Sequence, residues 1–373
     1  MLVSARADAR LRDEVIAGRR PYPEYLRLER DHGVVLCDWS QLRKGQGQRS
    51  ARLSIRHAAA ALRMMREFDV VFSDGEHVGI PFALAMRALG DVRPHLMIAH
   101  HLTTRLKKFL FTHFSIERGV TRIVFHSRHQ LQQARQQLRI AGSQAAFLPY
   151  AVDTDFWSPI SGCEEPLIVS AGKEHRDYLS LAQACGDFSE RVVIARGSGH
   201  SPSASSLEPP RWSSNFELAQ IDHRSLRALY ARCQVVAIPL APSDFQAGVT
   251  TLLEAMAMGK ACVVSATDGQ ADIVEDGVSG LYVPPGDAGE LRRALRFLLA
   301  RPDVRRRLGW QARQVVSSRY HLDGYVAKLA THLRELAETP AAASLPPDHS
   351  SSVGWAPGQQ TAEKVPAARA GWD

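Results

Sequence analysis

Short apolar, β-branched runs alternate with longer amphipathic stretches through most of this chain, and that alternation constrains its fold more than any other feature. Residues 34–37, 70–73, 96–99, 122–126 and 146–149 read as strands, separated by helical patterns at 55–66, 80–89 and 129–138. A second set lies at 167–171, 192–195, 235–239, 261–265 and 280–283. Strands alternating with helices form parallel sheets covered on both faces. The predicted fold class is α/β, with two doubly wound, Rossmann-like domains. Between 153 and 166 neither period holds, and aromatic, Pro, Ser and Gly residues cluster there. That places the domains at 1–158 and 159–321, with a last helix at 322–338. From 339 to 373 the composition turns to Pro, Ala, Ser, Gly and Gln, which predicts a disordered tail.

A chain of 373 residues with 45% apolar and 23% charged side chains is not disordered throughout. The formal charge is +7, but 39 of the 46 basic residues are Arg, a compositional bias that points weakly to any anionic partner. No aromatic-interleaved basic patch supports nucleic acid as a partner. The cysteines at 37, 163, 185, 233 and 262 lie far apart, which excludes a CxxC zinc site or a disulfide framework and suits a reducing compartment. No apolar run reaches the roughly 18 residues of a membrane span, and Arg6, Asp8, Arg10, Arg12 and Asp13 do not read as a signal peptide. The expected location is cytoplasmic.

The segment 237–265, AIPLAPSDFQAGVTTLLEAMAMGKACVVS, carries the strongest chemical signal. A strand runs into a loop with Ser243, Asp244 and Gly248; a helix starts near Thr250 and stops at Gly259. A glycine-containing loop feeding a helix N-terminus at a sheet's carboxyl edge is an anion site. One turn inside, Glu254 is placed to accept hydrogen bonds from a diol such as ribose; the alternative is a solvated surface carboxylate.

This segment resembles the donor motif of the family 4 retaining glycosyltransferases, which have the GT-B fold of two domains facing across a cleft. Glu254, Ala255, Met256, Ala257, Gly259 and Lys260 match its helix end, and Gln246 stands where that family has a first glutamate. Downstream, Gly269, Asp272-Ile273-Val274, Asp276-Gly277, Ser279-Gly280-Leu281 and Pro284-Pro285-Gly286-Asp287 continue the likeness. Upstream, Val152-Asp153, Phe156-Trp157 and Pro159 resemble its interdomain signature. The likeness extends over residues 96–325.

The resemblance implies a metal-independent hexosyltransferase without a cofactor, using a nucleotide-diphosphate sugar and a hydroxyl acceptor. It assigns the donor to Glu254 (ribose), Gln246 (sugar), and the amides of Gly248, Val249, Thr250 and Thr251. Lys173 and Arg176, in the turn that begins at Gly172, would neutralise the departing diphosphate; the alternative is a solvated charged turn. Gly197 would give close backbone approach, or mark a plain turn. His100 matches a strand-end histidine near the transferred sugar. Asp74, Glu76 and His77 are candidates for the acceptor side, or for capping the next helix; His101 is a further acceptor-side candidate, or a structural histidine. Residues 103–115 set Leu106, Phe109, Leu110 and Phe114 beside Arg105, Lys107 and Lys108, a pattern for peripheral membrane contact or for packing on its own domain. The acceptor class, glycan, small molecule or lipid, stays open. So do two other readings: a GT-B binding subunit in which Gln246 impairs turnover, and a sugar-nucleotide epimerase.

Overall fold

The computed structural model describes residues 1–42, 51–197 and 212–338. Its first half contains α1 (Ala9–Ile16), α2 (Glu24–His32), α3 (Ala51–Met64), β1 (Val71–Ser73) and α4 (Glu76–Ala88). Next come β2 (His95–Ala99), α5 (Arg105–Phe114), β3 (Arg122–Phe125), α6 (Arg128–Gln137) and β4 (Ala145–Phe147). The second half opens with β5 (Leu167–Ala171), α7 (Tyr178–Cys185), β6 (Arg191–Gly197), β7 (Phe216–Ile221) and α8 (His223–Arg232). It continues through β8 (Val235–Ile238), α9 (Val249–Ala257), β9 (Ala261–Ser265) and β10 (Leu281–Val283). Three helices close it: α10 (Ala288–Ala300), α11 (Pro302–Arg319) and α12 (Leu322–Glu338).

The strands form the two parallel sheets expected of the fold class. One has the order β1-β2-β3-β4, the other β10-β9-β8-β5-β6-β7. Strands β2, β5, β8 and β9 are buried along their whole length, as strands covered on both faces must be. In the second sheet the order reverses between β8 and β5, the switch point where open α/β sheets gather ligands.

Two features depart from the sequence reading. Residues 34–37, expected as a strand, contribute a single bridge, from Cys37 to Leu2. The edge strand β7 carries no apolar run, because its exposed Glu217, Leu218 and Gln220 face solvent. The first three residues, too short to read as a strand, lie between the 37 segment and β1: Leu2 N–H donates to Phe72 O at 2.7 Å and Val3 N–H to Cys37 O at 2.9 Å. Helix α12 lays Leu322, Tyr325, Val326 and Leu329 against Phe72, Leu96 and Ile98 of the first sheet. Among the described residues no helix is long and apolar enough to cross a membrane. In α5 it is Phe111 that is buried, while Leu106, Phe109 and Phe114 are exposed. The tail expected at 339–373 lies outside the described residues.

Candidate functional site

Two loops meet at the switch point. The loop after β5 runs from Gly172 to Asp177, whose carboxylate caps α7 by accepting from Ser180 N–H at 3.0 Å. Inside it Arg176 is only 7% exposed. Its Nε donates to Ala171 O at 2.8 Å, Nη1 to Glu174 O at 2.9 Å, and Nη2 to Thr251 Oγ1 at 3.0 Å. One guanidinium therefore ties the loop after β5 to the first turn of α9. A rigid fork of five donors suits that task, whereas a lysine ammonium is a single point. Three of its five N–H donors are thus engaged by the protein, so Arg176, expected as a cation facing the diphosphate, also braces the two loops it joins.

The start of α9 is built for an anion. Gly248, with φ +76°, is the N-cap and offers no side chain. The Leu252 N–H bonds to Gly248 O at 3.0 Å, so the amides of Val249, Thr250 and Thr251 lack intrahelical partners. They present donors and the positive end of the helix dipole together. A Cβ at Gly248 would stand 2.9 Å from Arg176 Nη1, which puts a buried positive charge against this mouth.

Glu254 lies one turn later, half-buried and with no hydrogen bond or ion pair among the described residues. Burial pushes its carboxyl up to about 8, with Arg176 pulling the other way. Gln246 Oε1 is buried without a partner; a ligand hydroxyl is the donor that would satisfy it. Lys173 is half-buried and makes no ion pair among the described residues. Gly197 is the last residue of β6, and residues 198–211 lie outside the described residues.

The first sheet supplies the opposite wall. Ser4 Oγ donates to Asp74 Oδ1 at 2.8 Å, and His77 Nε2 lies 2.6 Å from the same hydroxyl. His100 is exposed, with Nε2 3.0 Å from Asp74 O. Glu76 does not fit its expected place on the acceptor side. It is 4% exposed, accepts from the His100 and His101 amides at 2.9 and 3.2 Å, and pairs with Lys107 Nζ at 2.6 Å. The Lys107 charge holds this buried carboxyl at about 2 against desolvation, so it is a clamp on the loop.

His101 bridges the two halves. Its Nε2 lies 3.1 Å from Asp244 Oδ1, and its ring stacks on Phe245 with centroids 4.9 Å apart. Thr103 Oγ1 donates to Asp244 Oδ2 at 3.2 Å, and His175 meets the Phe245 ring edge-on at 4.8 Å. Sequence reasoning missed Asp244 and Phe245 as contacts between the halves. Nothing in their local pattern reveals a partner 141 positions away. The described residues contain no group of three His, Cys, Asp or Glu side chains set to hold a metal.

Residues 216–315 match the family model described as glycosyl transferases group 1. The alpha-D-kanosaminyltransferase of Streptomyces kanamyceticus is 30% identical over 95 residues, or 26% of this chain and 25% of that protein. This match therefore spans about a quarter of the relative's length. Among solved structures, sucrose-phosphate synthase from Thermosynechococcus elongatus superposes with a TM-score of 0.66 at 18% identity, covering 79% of this chain and 82% of that one. Anabaena HepE in complex with UDP and glucose gives 0.66 at 15% identity, covering 83% and 89%. A glycosyltransferase from Rickettsia africae gives 0.65 at 13% identity, covering 91% and 98%. At such identities the likeness is one of fold. The fold is GT-B, and residues 216–315 of its second half match the glycosyl transferases group 1 model.

Proposed function

We propose that the protein is a glycosyltransferase that moves a hexose-type sugar from a UDP-type nucleotide donor to an acceptor hydroxyl, with retention of configuration. The convergence of Arg176, the uncapped amides at 249–251 and the unpartnered Glu254 at one sheet edge carries this reading. The domain match over 216–315 and the UDP-bound fold relative support it. In this mechanism the amides receive the diphosphate. Lys173 neutralises it as the glycosidic bond breaks, with Arg176 holding both loops in register. Glu254 accepts from the ribose hydroxyls, Gln246 from the sugar, His100 reaches the transferred sugar, and Asp74 and His77 serve the acceptor side.

Thermal unfolding with and without UDP tests the donor site. A ligand that binds only the native state raises stability by RT ln(1 + [L]/Kd), so UDP at a hundredfold its Kd adds about 2.7 kcal/mol. No rise in Tm at millimolar UDP would remove the donor reading. Proton NMR of the product then checks retention from the anomeric coupling. EDTA is expected to leave the rate unchanged, since positive charge at the diphosphate comes from Lys173, Arg176 and a helix start; loss of turnover that magnesium restores would contradict this.

The Phe245 stack yields a further expectation. His101 and His175 hold that ring from the two sides of the cleft, so it helps to exclude water from the donor. Phe245→Ala should raise donor hydrolysis relative to transfer by about threefold, read as free sugar against glycosylated product. A ratio equal to that of the unsubstituted protein would show that the stack does not seal the cleft.

A further inference from the structure

A cavity of about 520 Å³ lies between the segment after Val3 and the start of α8. Arg6, Arg19, Arg20 and Tyr25 line it from the first half, Asp222 and His223 from the second. Its lining includes no residue of the α9 mouth. In the second sheet β7 stands two strands from β5 and three from β8, roughly 10–15 Å across at ~4.8 Å per strand. On the other side the lining begins at Ala5, next to Ser4, whose hydroxyl joins Asp74 and His77. The cavity thus borders the Ser4–Asp74–His77 cluster along the chain.

Its charges favour an anion. Four guanidiniums, of Arg6, Arg10, Arg19 and Arg20, face the carboxylates of Asp8, Glu14 and Asp222. Two of those carboxylates are held by helix starts: Asp8 accepts from Leu11 N–H at 3.0 Å and Asp222 from Ser225 N–H at 2.8 Å. Glu14 is shared between Arg10 at 3.2 Å and Arg20 at 3.4 Å. Arg6 and Arg19 make no side-chain hydrogen bond or ion pair among the described residues. Arg20 Nε is buried with no partner, a donor in want of an acceptor. Burial, with the Arg20 charge nearby, pushes the His223 imidazole below its ordinary range.

We propose that this cavity binds the anionic end, phosphate or carboxylate, of the acceptor, with Arg6, Arg19 and Arg20 as its ligands. Calling the bound molecule an acceptor rests on the glycosyl-transfer reading; the anion site itself does not. Arginine recognises both groups through paired N–H donors, so the two sources must be told apart by titration. A hexose 6-phosphate, a hexuronate and the plain hexose are titrated calorimetrically into the full chain, with UDP titrated separately. At least one anion should bind tenfold or more tighter than the plain hexose, and more weakly as salt rises. The double variant Arg6→Gln, Arg20→Gln should lose that preference while its UDP affinity stays within about twofold. Its Tm shows that it folds, and the single variant Arg6→Gln, at an exposed position, should already weaken the anion several-fold. Anions that bind no better than plain hexose overturn the proposal. So does a double variant that loses UDP equally, which would give the cavity to the nucleotide. A chain that binds an anion but not UDP would keep this site and sink the donor reading instead.

Discussion

Arg176→Ala should lower turnover by a hundredfold or more and cost roughly 3 kcal/mol of stability. The substitution leaves Ala171 O, Glu174 O and Thr251 Oγ1 without the donors they now accept from. Each unpaired buried group costs about 1–3 kcal/mol, and the three share one site, so their costs do not simply add. The rate falls further because the loop after β5 and the mouth of α9 lose their common anchor, and the charge behind the amides goes with it. Losing one preorganised donor at a developing anion costs about a hundredfold or more in comparable sites. Arg176→Lys should recover little, since one ammonium cannot span three acceptors that face different ways. A purely structural role would lower stability alone, so the pH profile separates the two. The Arg176 charge opposes the burial that lifts the Glu254 carboxyl to about 8. Without Arg176 that carboxyl titrates higher, and the alkaline dependence of UDP affinity moves up in pH. A Tm loss with kcat and pH profile unchanged would show that Arg176 is only a brace.

The parts of this design that were legible in the sequence are those governed by local pattern. Strands β5, β8 and β9 are covered on both faces, so each reads as a continuous apolar run. The α9 mouth is legible because a glycine before a helix is a local signal, and Gly248 does adopt the left-handed conformation. Edge strand β7 was missed because half its side chains face solvent. The single bridge at Cys37 needs Leu2 as its partner, which no window around Cys37 contains. Glu76 looked free because its partner Lys107 sits 31 residues away on α5. Arg176 and Lys173 were indistinguishable as two cations in one turn. The bond to Thr251, 75 residues later, marks Arg176 as the buried anchor, while Lys173 makes no ion pair among the described residues.

Glu254→Gln should weaken UDP by about thirtyfold at pH 9 and raise the melting temperature of the unliganded protein. Both effects come from the same carboxyl. An ordinary glutamate titrates near 4.5, but burial lifts this one to about 8. Between those values the unfolded chain is ionised while the folded chain still holds the proton. Stability therefore falls as pH rises from about 4.5 to about 8 and is level above that. Glutamine removes this cost, so its gain in Tm is largest at pH 8 and above and vanishes below about 4. For the ligand the sign is reversed. Two ribose hydroxyls donate better to a carboxylate than to a neutral carboxyl or amide, by about 1 kcal/mol each, and about 2 kcal/mol is a factor near thirty. UDP affinity of the unsubstituted protein should thus climb through pH 8, while Glu254→Gln gives a weaker and nearly flat profile. Calorimetric titration at pH 6.5 and pH 9 reads both. Equal UDP affinity for the two proteins at pH 9 would place the ribose elsewhere, and a Tm that does not rise would mean the carboxyl already has a partner in the unliganded site.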